Sequence, residues 1–274
     1  MTKKINSSLT IAAIQMISTQ NWQENLNTAS KLVGQAARNG AKLAVLPEFF
    51  IRIADVRDSE FADIIKPLGE GLIHNQLAKI AHDNNIYLVA GTIPIQSHHK
   101  NKYYNTALVF NPEGMLICHY NKIHLFKFDD GILKFDENIL FTHGDEVKIF
   151  EVDNFSFGLS ICYDLRFPEL FRAVAGVDAF IIPAAFTYAT GRDHWEVLLR
   201  ARAIENQCYV IASNQGGIHE NGRRSFGHSM IISPWGMVEE RIPNGEGIIM
   251  YTLEKDELSK IRNQLPSLSH RTIK

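Results

Sequence analysis

A mixed β-sheet with helices on its outside, an α/β fold, is the class this sequence predicts, and three observations carry the prediction. Short β-rich runs alternate with longer runs whose apolar residues recur at helical spacing. A strand–turn–strand pattern interrupts that alternation in mid-chain. No low-complexity linker, repeat or break in composition divides the 274 residues, so one domain over 1–274 is expected.

Residues 9–16 read as the first strand and 42–46 as the second, joined by a helix over 22–39 that Gly40 closes. That helix carries Leu26, Ala29, Leu32, Val33, Ala36 and Ala37 as a 3.6-residue stripe, the pattern of a helix lying on a sheet. A helix over 72–84 leads to a strand over 86–95, IYLVAGTIPI, apolar enough to be buried on both faces. Asn111-Pro112-Glu113-Gly114 is a turn of favoured composition between strands at 106–110 and 115–120, which makes a hairpin. The second half resumes the alternation: a strand at 155–161, a short helix at 168–175 opened by Pro168, a strand at 179–183, a helix at 193–206 and a strand at 208–213. Trp195, Leu198, Leu199 and Ala203 give the 193–206 helix its apolar side. Strands near 229–233 and 247–252 and a helix near 255–263 close the chain. In such a fold the loops at the strand ends hold the site, while strand order stays open.

Charge and cysteine usage narrow the function. Lys plus Arg number 28 and Asp plus Glu 30, a net charge of -2 that lacks the basic footprint of a nucleic-acid binder and favours a small-molecule partner. The start, MTKKINSSLT, runs polar where a secretory signal needs an apolar core. No stretch reaches about 18 uninterrupted apolar residues, so no membrane span is expected and the cytoplasm is the expected location. Cys118, Cys162 and Cys208 are an odd count without a CxxC pair, which argues against a disulfide framework. The eleven histidines include no HExxH, so neither a metal nor a cofactor is expected.

Three polar residues stand at the ends of apolar strands. Glu48 follows Leu46-Pro47 and precedes Phe49-Phe50; apolar surroundings disfavour a carboxylate's charged form and make it a better proton acceptor near neutral pH. Lys122 lies among Ile123, Leu125 and Phe126, where a cation facing a pocket would stabilise developing negative charge. Cys162 ends the apolar run 155–161 just before the helix signalled by Pro168. A thiol at such a junction is exposed at the sheet edge, beside backbone N–H groups suited to an oxyanion. Cys118 and Cys208, inside strand-like runs, are expected to be buried and inert.

Leu46-Pro47-Glu48, Asn121-Lys122-Ile123-His124-Leu125-Phe126 and Ser160-Ile161-Cys162-Tyr163-Asp164-Leu165-Arg166-Phe167-Pro168-Glu169 resemble, in order and type, the three signatures of the nitrilase superfamily of carbon–nitrogen hydrolases. The resemblance runs from about Leu9 to Arg271. Its densest parts, HWEVLLRARAIENQCYV at 194–210, GHSM at 227–230 and PWG at 234–236, look like the branch that contains deaminated-glutathione amidase and omega-amidase. The resemblance implies a four-layer α-β-β-α sandwich with two mixed, six-stranded-type sheets, usually dimerised. It implies Cys162 as nucleophile, Glu48 as general base, Lys122 as the cation beside the tetrahedral intermediate and Glu137 as a supporting second glutamate. The Tyr163 backbone N–H is the expected oxyanion donor.

The activity so implied is hydrolysis of a small linear amide through a cysteine thioester, giving ammonia and a carboxylic acid, with deaminated glutathione or a related 2-oxo acid ω-amide as substrate. A 2-oxo acid calls for a carboxylate-binding arginine, and Arg166, Arg192, Arg223 and Arg224 qualify by type. Phe186 and Thr187 complete the expected substrate-binding set with Arg166. Two departures bear on preference: residues 127–133 lack the branch's Asp-x-Pro-Gly type of loop, and Arg192-Asp193 replaces a neutral residue before His-Trp-Glu. The alternatives are an N-carbamoyl amide hydrolase, disfavoured by apolar Leu165, a nitrilase, and an inactive dimeric scaffold.

Overall fold

Six strands form each of two stacked sheets in the computed structural model, which describes residues 7–53, 64–129, 131 and 134–273. The polar start at 1–6 and residues 130, 132 and 133 of the 127–133 segment lie outside the described residues. The first sheet contains β1 (Ser8–Gln15), β2 (Leu43–Val45), β3 (Tyr87–Gln96), β4 (Tyr103–Phe110) and β5 (Leu116–Asn121) in spatial succession, with β16 (Gly247–Glu254) on the far side of β1. Strands β1 to β3 run parallel, and β4, β5 and β16 pair antiparallel. Two short ribbons stand outside the sheets: β6 (Lys127–Asp129) with β7 (Lys134–Asp136), and β12 (Gly216–Ile218) with β13 (Arg224–Phe226). The second sheet orders β8 (Ile149–Val152), β9 (Phe155–Leu159), β10 (Ala179–Ala184), β11 (Tyr209–Asn214), β14 (Ser229–Ile232) and β15 (Val238–Ile242), with a parallel centre at β9, β10 and β11.

Strand alternation sorts the core. Leu9, Ile11 and Ala13 of β1, and Leu43 and Val45 of β2, join the core shared with the second sheet. Their neighbours Ala12, Ile14 and Ala44 point the other way, onto α1 (Trp22–Arg38) and α2 (Leu72–Asp83). Burial on both faces explains the near-continuous apolar runs. Asn21 starts α1 by accepting from the Gln23 and Glu24 N–H groups, and Leu26, Ala29, Leu32, Val33 and Ala36 are its buried stripe. The other outer layer has α3 (Pro168–Ala173) and α4 (Tyr188–Asn206), whose Phe171, Trp195, Leu199 and Ala203 join the core of the second sheet. Helix α5 (Lys255–Gln264) follows β16. The layers are α-β-β-α, as the resemblance implies.

Three differences from the sequence reading have physical causes. Helix α4 starts at Tyr188, five residues before the expected 193, because Gly191 is pressed against Phe226: a Cβ there would lie 2.4 Å from the Phe226 Cβ. That contact extends the helix through Ala189-Thr190-Gly191, which propensity alone leaves open. Strands β8 and β15 escape the reading because they are the edges of the second sheet, where outward positions carry charge, as in the VEERI of β15. Strand β9 ends at Leu159 rather than 161, since the chain turns there into a 3-10 segment, Cys162–Arg166.

Candidate active site

Glu48 leaves β2 through a turn that β3 clamps. A Cβ on Gly91 would stand 1.9 Å from the Pro47 carbonyl oxygen, so β3 accommodates that turn only with glycine, at a point where its pairing with β4 slips register. Phe49 has φ 54°, and its N–H donates to Thr92 Oγ1 at 2.9 Å, fixing the turn from the other side. Glu48 is buried, and three donors meet it: Lys122 Nζ at 2.8 Å and Asn105 Nδ2 at 2.9 Å on Oε1, and the Ala185 N–H at 2.9 Å on Oε2. The apolar setting expected from Phe49 and Phe50 is therefore corrected, because partners from other strands bring polar groups to the carboxylate.

Lys122 follows β5, and its N–H donates to the Asn105 carbonyl at 2.9 Å. Its side chain is fully buried between two carboxylates, with Glu137 at 2.9 Å opposite Glu48. Glu137 begins a 3-10 turn and accepts from the Phe126 N–H at 2.8 Å, closing a loop around the ammonium. Burial by itself would lower the Lys122 value; Glu137 and then Glu48 outweigh it and hold the ammonium well above the usual lysine range. Burial raises the Glu137 carboxyl against the pull of Lys122.

Cys162 adopts φ 46°, a left-handed conformation that side chains other than glycine seldom take. It lies at the expected junction but is only 8% exposed, so the sequence expectation of an exposed thiol is corrected. Burial, with the negative charge of Glu48 next, pushes its thiol well above the ordinary range, while Lys122 and the Ala185 N–H act in the opposite direction. Burial thus favours the neutral form of the Cys162 thiol, with the Glu48 carboxylate and the Lys122 ammonium as its charged neighbours. Cys118 is half-buried rather than inaccessible because β5 is an edge strand; Cys208 is buried as expected.

A pocket beside Cys162 is lined by Tyr163, Arg166, Phe186 and Thr187, with Phe126 at its wall. Arg166 lies over Phe186 at 5.3 Å and donates to His194 Nδ1 at 3.3 Å. Among the described residues no carboxylate lies within ion-pairing distance of it. The other candidate arginines are elsewhere: Arg192 pairs with Asp193 on the outside of α4, Arg223 lies over Phe135 and Arg224 over Tyr188. Among the described residues no group of three or more His, Cys, Asp or Glu could hold a metal ion.

Sequence reasoning missed Asn105, the Ala185 N–H and Asp164. Asn105 left a faint signal, a polar residue entering an apolar strand, whereas a backbone donor such as that of Ala185 leaves none.

A buried carboxylate, ammonium and thiol gathered at strand ends between two stacked sheets define a hydrolase of the acyl-transfer type. Comparison with known proteins is in accord: the carbon-nitrogen hydrolase family model matches residues 10–263, and the chain belongs to that family. It is 39% identical over 267 residues to a deaminated glutathione amidase of Synechocystis sp., covering 95% of this chain and 97% of the relative. It is 36% identical over 260 residues to Omega-amidase NIT2 of Xenopus tropicalis, covering 93% and 92%. Among solved structures, Saccharomyces cerevisiae Nit3, described as a member of branch 10 of the nitrilase superfamily, superimposes with a TM-score of 0.86 at 31% identity, covering 97% of each chain. XC1258 of Xanthomonas campestris, a CN-hydrolase superfamily protein, does so with a TM-score of 0.85 at 25% identity, covering 97% and 98%.

Proposed function

We propose that this chain is a single-domain amidase that hydrolyses the ω-amide of a small 2-oxo acid, deaminated glutathione or a close analogue, through a thioester on Cys162. The observation that carries the reading is the convergence of Glu48, Lys122 and Cys162 beside a pocket whose Arg166 has no carboxylate partner among the described residues. In this mechanism Glu48 takes the thiol proton as sulfur attacks the amide carbon. Two donors already occupy Oε1 and only the Ala185 N–H occupies Oε2, so the proton goes to Oε2. Lys122 and the Tyr163 N–H stabilise the oxyanion, and Glu137 keeps Lys122 charged and in place. Glu48 returns the proton to the departing nitrogen, then activates the water that cleaves the thioester, giving the free acid. The leaving group is ammonia from a primary amide. From deaminated glutathione, whose amide nitrogen bears the rest of the peptide, it is the corresponding amine.

Formation of 2-oxoglutarate from deaminated glutathione and from 2-oxoglutaramate by the purified protein tests this directly; no 2-oxoglutarate from either would refute it. Arg166 is the proposed partner of the substrate carboxylate. Arg166→Ala is expected to raise KM for these anions roughly 10–100-fold, the loss of one charge-assisted hydrogen-bonded pair, and to raise it far less for a neutral aliphatic amide. Equal effects on both substrates would remove Arg166 from that role.

The proposal extends to a cytoplasmic homodimer. Val197 and Ile204, 62% and 50% exposed on α4, offer an apolar strip that a two-fold copy of the same helix would cover. Light scattering is expected to report about twice the 31.0 kDa of one chain, and a monomer mass would contradict the dimer.

A further inference from the structure

Asp164 is fully buried, takes no part in the chemistry above, and accepts four hydrogen bonds. On Oδ2 it receives the Tyr120 hydroxyl at 2.7 Å and the Ile161 N–H at 2.9 Å. On Oδ1 it receives the His124 N–H at 2.9 Å and His124 Nδ1, which must carry the proton, at 2.7 Å. Burying a carboxylate costs several kcal/mol unless its lone pairs are filled, and here all four sites are. The positions of the donors give the arrangement its meaning. Tyr120 and His124 stand two residues before and two residues after Lys122, and Ile161 immediately precedes Cys162. One carboxylate thus grips both flanks of the lysine and the approach to the cysteine, two segments that continue β5 and β9, strands of different sheets.

The supporting contacts point the same way. Burial, with the charge of Asp164 next, holds the Tyr120 phenol well above its ordinary range, so it remains a donor throughout the working pH range. The His124 ring stacks on Phe167, centroids 3.7 Å apart and planes 6° from parallel, which fixes its Nδ1 toward Asp164. The left-handed backbone at Cys162 persists only where its surroundings over-determine it, and the bond from the Ile161 N–H is one such restraint.

We infer that Asp164 is a positioning residue that sets the placement of the Lys122 ammonium relative to the Cys162 sulfur, and this rests on the amidase reading above. Its carboxylate touches neither substrate nor reacting atoms; it acts through the two segments it ties together. Released from that tie, the ammonium drifts from the sulfur and from the developing oxyanion, and the thiol becomes harder to ionise.

The test compares Asp164→Asn and Tyr120→Phe in the full-length protein, with Cys162→Ala as reference. Asp164→Asn turns one acceptor into a donor facing donors. Tyr120→Phe removes a single bond. In Asp164→Asn, kcat for 2-oxoglutaramate is expected to fall about 100-fold, with KM within about threefold, as befits a small misplacement of reacting groups. Tyr120→Phe is expected to lose about tenfold in kcat, and alkylation of Cys162 by iodoacetamide, mapped by mass, slows in the same order. A merely structural role would lower the thermal midpoint while kcat and the alkylation rate, read well below that midpoint, stayed within about threefold of the parent; that result overturns the inference. Should Asp164→Asn fail to fold, Tyr120→Phe decides by the same criterion. Activity surviving in Cys162→Ala would defeat the amidase mechanism instead, and the alkylation rates would still judge Asp164.

Discussion

Replacing Cys162 with alanine is expected to lower amide hydrolysis by at least about 10⁴-fold, because removing the nucleophile removes the covalent pathway and leaves only binding and oxyanion stabilisation. The effect is confined to chemistry. Cys162 is 8% exposed and its backbone is held by neighbours, so losing one sulfur opens only a small void and leaves the pocket lined by Tyr163, Arg166 and Phe186 intact. The variant is expected to bind substrate and show a cooperative unfolding transition close to that of the parent. Steady-state rates for 2-oxoglutaramate check the first point, and mass spectrometry of the parent mixed with a slow substrate checks the acyl-enzyme. Alkylation by iodoacetamide is expected to inactivate through Cys162, although half-buried Cys118 also takes up label; inactivation that follows Cys118 labelling alone would contradict the assignment.

Lys122→Met is expected to damage both activity and stability. The ammonium lies 2.8 Å from Glu48 and 2.9 Å from Glu137, all three side chains being largely withdrawn from water. Without it two buried carboxylates face one another uncompensated, a change expected to cost about 3–5 kcal/mol. Activity is expected to fall roughly 10³-fold, since the cation beside the oxyanion is gone. The pH dependence carries a definite sign. A carboxyl whose folded-state value is raised above its unfolded value contributes stability that is fully present below the unfolded value and is lost as pH rises through the folded value. Glu137 is already raised by burial, and loss of Lys122 raises it further. The stability gap between parent and variant is therefore expected to narrow as the pH falls from 7 toward 5. Urea midpoints at the two pH values measure it, and a gap that widens toward acid would show that the ammonium does not hold the Glu137 carboxyl down. Adding Glu137→Gln to Lys122→Met is expected to recover part of the lost stability.

Three members of the candidate site were legible because each follows an apolar run. Glu48 after 42–46, Lys122 after 115–120 and Cys162 after 155–161 stand where a polar side chain has no packing reason to be, and strand ends are where α/β folds place their chemistry. Glu137 came only through resemblance, for it lies in a short polar stretch that reads like any surface turn. The surroundings of Glu48 differ from what its flanking residues suggest, because its neighbours along the chain are not its neighbours in space. Phe49 and Phe50 adjoin it along the chain, yet its partners come from β4, from beyond β5 and from the segment after β10.

Residue periodicity and composition determined the α/β class, most of the helices and the inner strands, since those features depend on which faces must leave water, and that is written locally. The charged edge strands and the early start of α4 at Tyr188 were decided only by tertiary structure. So was the gathering of Asn105, Asp164 and the Ala185 N–H around the site. Each depends on contacts between residues many positions apart, and the free energy of such contacts is settled when the two sheets stack, after every local preference has already been expressed.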